Sequence, residues 1–185
     1  MPGSWVRAPP APLPWPAAPA HRDDHERVSF THDVTVPAPP AQLIATLTDE
    51  SFVREALAAL GAEVREVSVE GTTTTARYTV PTQGIPEAFA KFVGDRVELL
   101  DVRTWTATGD GATGTVVVTS KLFGRDVRLE GERRVTAAGA GSQIDSTGTS
   151  KVDAPFVGRK AEGAVDQLAV VVLRKEAESL QRRLA

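Results

Sequence analysis

The chain has 185 residues, no cysteine and a formal net charge of −3. That length suits one domain with an extension, and excludes disulfide staples and thiolate metal sites. The charge is too mild to point to nucleic acid or an acidic membrane surface, and no apolar run approaches the roughly 20 residues that a membrane span requires. A cysteine-free chain of this kind fits the cytoplasm, which is the expected location.

Residues 1–27 read as a disordered, proline-rich extension, with prolines at 2, 9, 10, 12, 14, 16 and 19. Proline removes backbone donors and blocks regular ladders. His21, Asp23, Asp24, His25 and Glu26 form the only dense group of metal-ligating side chains. No apolar periodicity sets them on a helix face, so the expectation is a solvated linker with no metal. The folded domain is expected to span 28–185.

Val28 to Val36 alternates as a strand, with Phe30, Val34, Val36 and also His32 on its apolar face. Prolines at 37, 39 and 40 stop it, and Pro40 suits the first turn of a helix carrying Leu43, Ile44 and Leu47. Asp49 is placed to cap a second helix with Phe52, Val53, Ala56, Leu57 and Leu60 on one stripe. Gly61 falls where a left-handed terminator belongs.

Six strands are predicted next, at 62–69, 72–80, 95–107, 112–122, 125–137 and 142–152. Their connections carry turn residues such as Glu70-Gly71, Gly109-Asp110-Gly111 and Gly139-Ala140-Gly141. Short connections imply antiparallel neighbours, because a parallel pair needs a long crossover. Residues 81–94 interrupt the series. Ile85, Phe89, Phe92 and Val93 lie between Gly84, Pro86 and Gly94, which suggests a brief helical turn over one end of the sheet, as a lid or a plug.

From Pro155 to Leu184 the period becomes helical. Val157, Ala161, Ala164, Val165, Leu168, Val171 and Val172 form a stripe, with Arg159, Glu162, Asp166, Lys175 and Glu178 expected on the opposite face. Such a helix is roughly 40 Å long, enough to cover the concave side of a small sheet. The fold class is therefore α+β: a curved antiparallel sheet of about seven strands, ordered β-α-α-β6-α, wrapped around a long C-terminal helix.

That order resembles the helix-grip fold of the START-like superfamily, which includes polyketide cyclases, birch-pollen-type allergens and lipid-transfer domains. The local text is similar to a branch of unknown function common in actinobacteria. The matching pieces are Ser29-Phe30 through Val36-Pro37-Ala38 to Leu47-Thr48-Asp49, and Ala90-Lys91-Phe92-Val93-Gly94 leading to Thr104-Trp105. The chain's end matches as well, from Gly148-Thr149 to Val152, then Pro155-Phe156-Val157-Gly158 and Lys160-Ala161-Glu162. The resemblance covers about 29–184 and implies a fold and an internal cavity, without a mechanism.

Signals of chemistry are sparse. Gly109 to Gly114 matches G-x-G-x-x-G, but Thr115 to Thr119 continues as strand where a dinucleotide site needs a helix, so a hairpin turn is predicted. No nucleophile elbow, zincin motif or phosphate loop is present, and no cofactor is expected. His32 could face a pocket as a polar anchor. Asp101 and Arg103 share the strand phase of Val97, Leu99 and Trp105, but the neighbouring Glu98, Leu100 and Val102 make the face assignment ambiguous. The pair lines a pocket if that phase is concave and is ordinary surface charge if it is convex. Trp105, Tyr78, Phe89, Phe92 and Phe123 could wall a hydrophobic site, although core packing is the commoner role. Ala164, Leu168 and Val172 would form its helical wall. The function expected is binding of a small hydrophobic or amphipathic molecule, lipid or polyketide-like, between sheet and helix. The alternatives are a cyclase or dehydratase using the same cavity, and a filled domain that acts through its surface. Neither nucleic acid nor stable membrane insertion is expected, and the oligomeric state stays open.

Overall fold

A computed structural model describes residues 28–81, 95–122, 125–153 and 158–185. The expected extension, the lid-like segment with Phe89 and Phe92, and Phe123 lie outside these residues. Strand β1 (Phe30–Val36) leads into α1 (Pro40–Leu47) and α2 (Glu50–Ala59). Six strands follow: β2 (Glu63–Glu70), β3 (Thr73–Pro81), β4 (Arg96–Thr108), β5 (Gly111–Leu122), β6 (Arg125–Ala138) and β7 (Gly141–Val152). Helix α3 (Gly158–Leu184) ends the chain.

The seven strands form one antiparallel sheet in the order β1-β7-β6-β5-β4-β3-β2. Consecutive strands from β2 to β7 are neighbours; two residues separate β2 from β3, β4 from β5, β5 from β6 and β6 from β7, whereas residues 82–95 separate β3 from β4. The first strand pairs with the last, Phe30 opposite Gly148 and Val36 opposite Ser142. The helices α1 and α2 must therefore carry the chain from one edge of the sheet to the other. Residues 109–114, the formal glycine-rich match, turn from β4 into β5, where Thr108 faces Gly111.

Local chemistry accounts for the helix ends. Pro40 opens α1 where its missing N–H costs nothing. The Asp49 carboxylate accepts from the Phe52 N–H at 2.9 Å and caps α2. Gly61, at φ 71°, follows α2 in a conformation that side chains with a Cβ resist.

The core is packed towards one end of the sheet. Val36, Leu43, Leu47, Phe52, Trp105, Val135, Ile144 and Leu180 form one buried cluster, and Leu57, Val67, Ala76 and Tyr78 form a second beneath α2. Within the first, the Trp105 indole lies flat on Gly114, the residue opposite it in β5. A Cβ at position 114 would sit 2.7 Å from the ring. Gly114→Ala should therefore cost about 1–3 kcal/mol by forcing the indole to shift, read as a lower urea midpoint at unchanged slope.

The helix departs from the sequence expectation in two ways. The stripe residues Leu168 and Val171 are 36% and 48% exposed. Asp166, expected on the polar face, is buried together with Glu176, Ala177, Ser179 and Leu180. The physical reason is the curl of the sheet: a helix held in a concave surface is covered over a wider arc than one stripe, and its two halves meet different surroundings. The C-terminal half closes the packed core. The N-terminal half borders open space along Ala164, Leu168 and Val172.

Candidate functional site

That space is a cavity of about 340 Å³ between the concave face of the sheet and the first half of α3, within the range of small-molecule sites. Alternation along the strands builds it. In β4 the phase of Val97, Leu99, Asp101, Arg103 and Trp105 points inward, which resolves the ambiguity of that strand. Val116 and Val118 of β5, Val127 and Leu129 of β6, and Ala164, Leu168 and Val172 of α3 make the walls apolar. Phe30 and Tyr78 add aromatic surface from β1 and β3.

A charged cluster occupies the boundary between cavity and core. Arg103 grips Asp101, two residues along the same strand face, with Nε to Oδ1 at 3.0 Å and Nη2 to Oδ2 at 2.8 Å. Its Nη1 donates to Glu176 Oε2 on α3. Glu176 Oε1 lies 2.6 Å from Arg133 Nη1 on β6. The Arg133 guanidinium also stands 5.5 Å from the centre of the Trp105 ring, a cation–π distance. The Tyr78 phenol hydrogen-bonds the Asp101 carboxylate. Asp101, Arg133 and Glu176 are all at least 95% buried.

Two carboxylates thus face two guanidiniums in a nearly dry site. Burial alone would raise the Glu176 pKa, but Arg103 and Arg133 outweigh it and hold the carboxyl at about 2. Burial likewise would lower the Arg103 pKa, and Asp101 and Glu176 reverse the shift, raising it well above its ordinary value. Burial, reinforced by Asp101, pushes the Tyr78 phenol up, so it stays protonated. A void of about 20 Å³ lies near the cluster, lined by Phe52, Thr74, Asp101, Arg103 and Glu176 among others. It has room for about one water molecule.

Of the residues singled out in the sequence, the structure brings Tyr78, Asp101, Arg103, Ala164, Leu168 and Val172 to one cavity. Trp105 is instead part of the packed core, stacked under Arg133. His32 shares the inward phase of β1 without lining the cavity, half-buried. Its pKa is lowered chiefly by burial, with Arg133 and Arg174 pushing the same way and Asp33 opposing. Sequence reasoning missed Phe30, Arg133, Ser146 and Glu176. The signal was there for Arg133: it keeps the phase of Val127, Leu129 and Val135 in β6, as His32 keeps that of β1. Among the described residues, no group of three or more His, Asp or Glu side chains is placed to hold a metal ion. None of their helices is long and apolar enough to cross a membrane.

A family model described as a protein of unknown function, DUF2505, matches residues 31–184. The chain belongs to the DUF2505 family. Its fold is that of the START-like, polyketide-cyclase-like helix-grip proteins, as solved structures also indicate. A protein from Thermus thermophilus matches at 18% identity and TM-score 0.56, over 84% of this chain and 99% of that one. A conserved protein from Geobacillus kaustophilus matches at 13% identity and TM-score 0.57, over 83% and 93%. The Zhui aromatase/cyclase of Streptomyces sp. R1128 matches at 14% identity and TM-score 0.56, over 84% and 92%. At such identities the likeness is one of fold. No curated protein matches this DUF2505 chain.

Proposed function

We propose that this DUF2505 domain binds a small hydrophobic or amphipathic molecule, lipid or polyketide-like, in the cavity between the sheet and α3. The observation that carries the reading is the contrast between the two halves of the domain. One half is filled by Leu43, Phe52, Ile144 and Leu180. The other keeps about 340 Å³ open behind mostly apolar walls, with Asp101, Arg103, Arg133 and Ser146 among its lining. Burying a ligand's apolar surface there stabilises the complex by about 25 cal/mol per Å², and the polar groups orient it.

The cluster favours binding over proton transfer. Asp101 is committed to Arg103, Glu176 to two guanidiniums, and the Tyr78 phenol is held protonated. General acid–base catalysis needs a group poised near the working pH.

Native mass spectrometry of the purified full-length protein tests this, with binding of the uncharged fluorophore N-phenyl-1-naphthylamine as a second readout. Ala164→Phe should fill the cavity from α3 and weaken fluorophore binding at least tenfold, while Tm stays within a few degrees. Undiminished binding by a folded Ala164→Phe protein, with no co-purifying small molecule, would remove the basis for this reading.

A further inference from the structure

Arg133 and Ser146 face each other directly in the β6–β7 register. Both line the cavity. Arg133 is 5% exposed and Ser146 is 4% exposed. Yet Arg133 Nε and Ser146 Oγ have no hydrogen-bond partner among the described residues. Buried polar groups are paired in the great majority of cases, so a neighbouring pair without partners calls for an acceptor that the chain itself does not supply. The guanidinium Nε–H can only donate, and the serine hydroxyl can donate as well. Together they suit one oxygen acceptor.

The surrounding charge narrows the class of acceptor. Arg133 and Arg103 are matched by Glu176 and Asp101. A ligand carboxylate would place a third anion against two cations in a low-dielectric site, and a ligand ammonium would meet Arg133 at close range. Either leaves an uncompensated buried charge. A ketone, ester or alcohol oxygen leaves the balance intact. Val116, Val118 and Leu129 on the sheet and Leu168 on α3 then receive the carbon skeleton.

We propose that the cavity selects an uncharged, oxygen-bearing amphipathic molecule, whose ketone, ester or hydroxyl oxygen is held by Arg133 Nε and Ser146 Oγ. This rests on the cavity-binding reading above and adds the chemistry of the ligand's head.

The test is displacement of N-phenyl-1-naphthylamine from the full-length protein at pH 7 by four competitors with twelve-carbon chains: 2-dodecanone, dodecan-1-ol, dodecanoate and dodecane. The ketone and the alcohol should displace the fluorophore at concentrations about tenfold below those of the alkane and the carboxylate. Ser146→Ala removes one anchor with little change in volume. Arg133→Lys keeps the positive charge beside Glu176 and loses Nε. Each should reduce ketone affinity about tenfold, the worth of one hydrogen bond to a charged or buried partner, a larger loss than either causes in fluorophore or alkane binding. Should Arg133→Lys fail to fold, Ser146→Ala alone carries the test. Equal potency of ketone and alkane, or an unchanged ketone preference in Ser146→Ala, overturns the anchor while leaving the cavity reading intact. Dodecanoate as the strongest competitor overturns the charge argument and with it the proposal. If the fluorophore does not bind the wild-type protein at all, the cavity reading fails first and the anchor falls with it.

Discussion

Glu176→Gln is expected to destabilise the protein by about 3–5 kcal/mol at neutral pH, the cost of leaving buried charges unpaired. Glu176 is 5% exposed and pairs with Arg103 and Arg133 at once. A glutamine keeps the shape, but its amide NH₂ would point at one of two guanidiniums that can only donate. The substitution also cuts the one charged tie between α3 and strands β4 and β6 among the ion pairs described. The same residue should write itself into the acid limb of stability. Its pKa is depressed in the folded state, to about 2 from an ordinary 4.5. Its contribution is therefore complete above about pH 4.5 and is lost as pH falls through the folded value. A shift of that size corresponds to about 3 kcal/mol. Urea titrations between pH 7 and pH 2 should show a steep wild-type decline below pH 4.5 that is flattened in Glu176→Gln. The surface carboxylate Glu178, paired with Lys175 on the exposed side of α3, serves as the comparison. Glu178→Gln should leave the neutral-pH midpoint close to wild type. Equal losses from both substitutions would mean that the cluster does not bear on folding.

The elements were legible because each rests on local chemistry. The alternation of Phe30, Val34 and Val36, the turns at Gly71 and Gly139, the Asp49 cap and the helical period after Pro155 all act within a few residues. The strand limits agree with the structure to within one or two residues at each end. The site was less legible, for three physical reasons. In β4 both faces carry apolar side chains, because the outer Leu100 and Val102 are themselves half-buried, so alternation cannot say which face is concave. Arg133 and Glu176 are buried only by virtue of each other and Arg103. The cluster joins β4, β6 and α3, and a charge read alone is assigned to solvent. On α3 the stripe from Ala161 to Val172 reads as a core face, because periodicity reports apolarity and cannot distinguish a wall against side chains from a wall against a cavity. The same limit sent Asp166 to the wrong face.

Two truncations on that helix should therefore have opposite signatures. Leu180→Ala is expected to cost about 2–5 kcal/mol, since the side chain is fully buried among the residues of the main core cluster and its removal leaves a void. Leu168→Ala should cost less than about 1 kcal/mol, since this leucine is already 36% exposed and borders open volume, so little packing is lost. Binding should show the reverse order. Leu168→Ala removes apolar wall from the cavity and should weaken capture of N-phenyl-1-naphthylamine several-fold, whereas the folded fraction of Leu180→Ala should bind as wild type does. Urea midpoints and fluorescence titrations on the same two preparations measure both quantities. A loss of stability at Leu168 as large as that at Leu180 would mean that the N-terminal half of α3 is core like the rest. The stripe would then be there for folding, and the cavity would close around nothing.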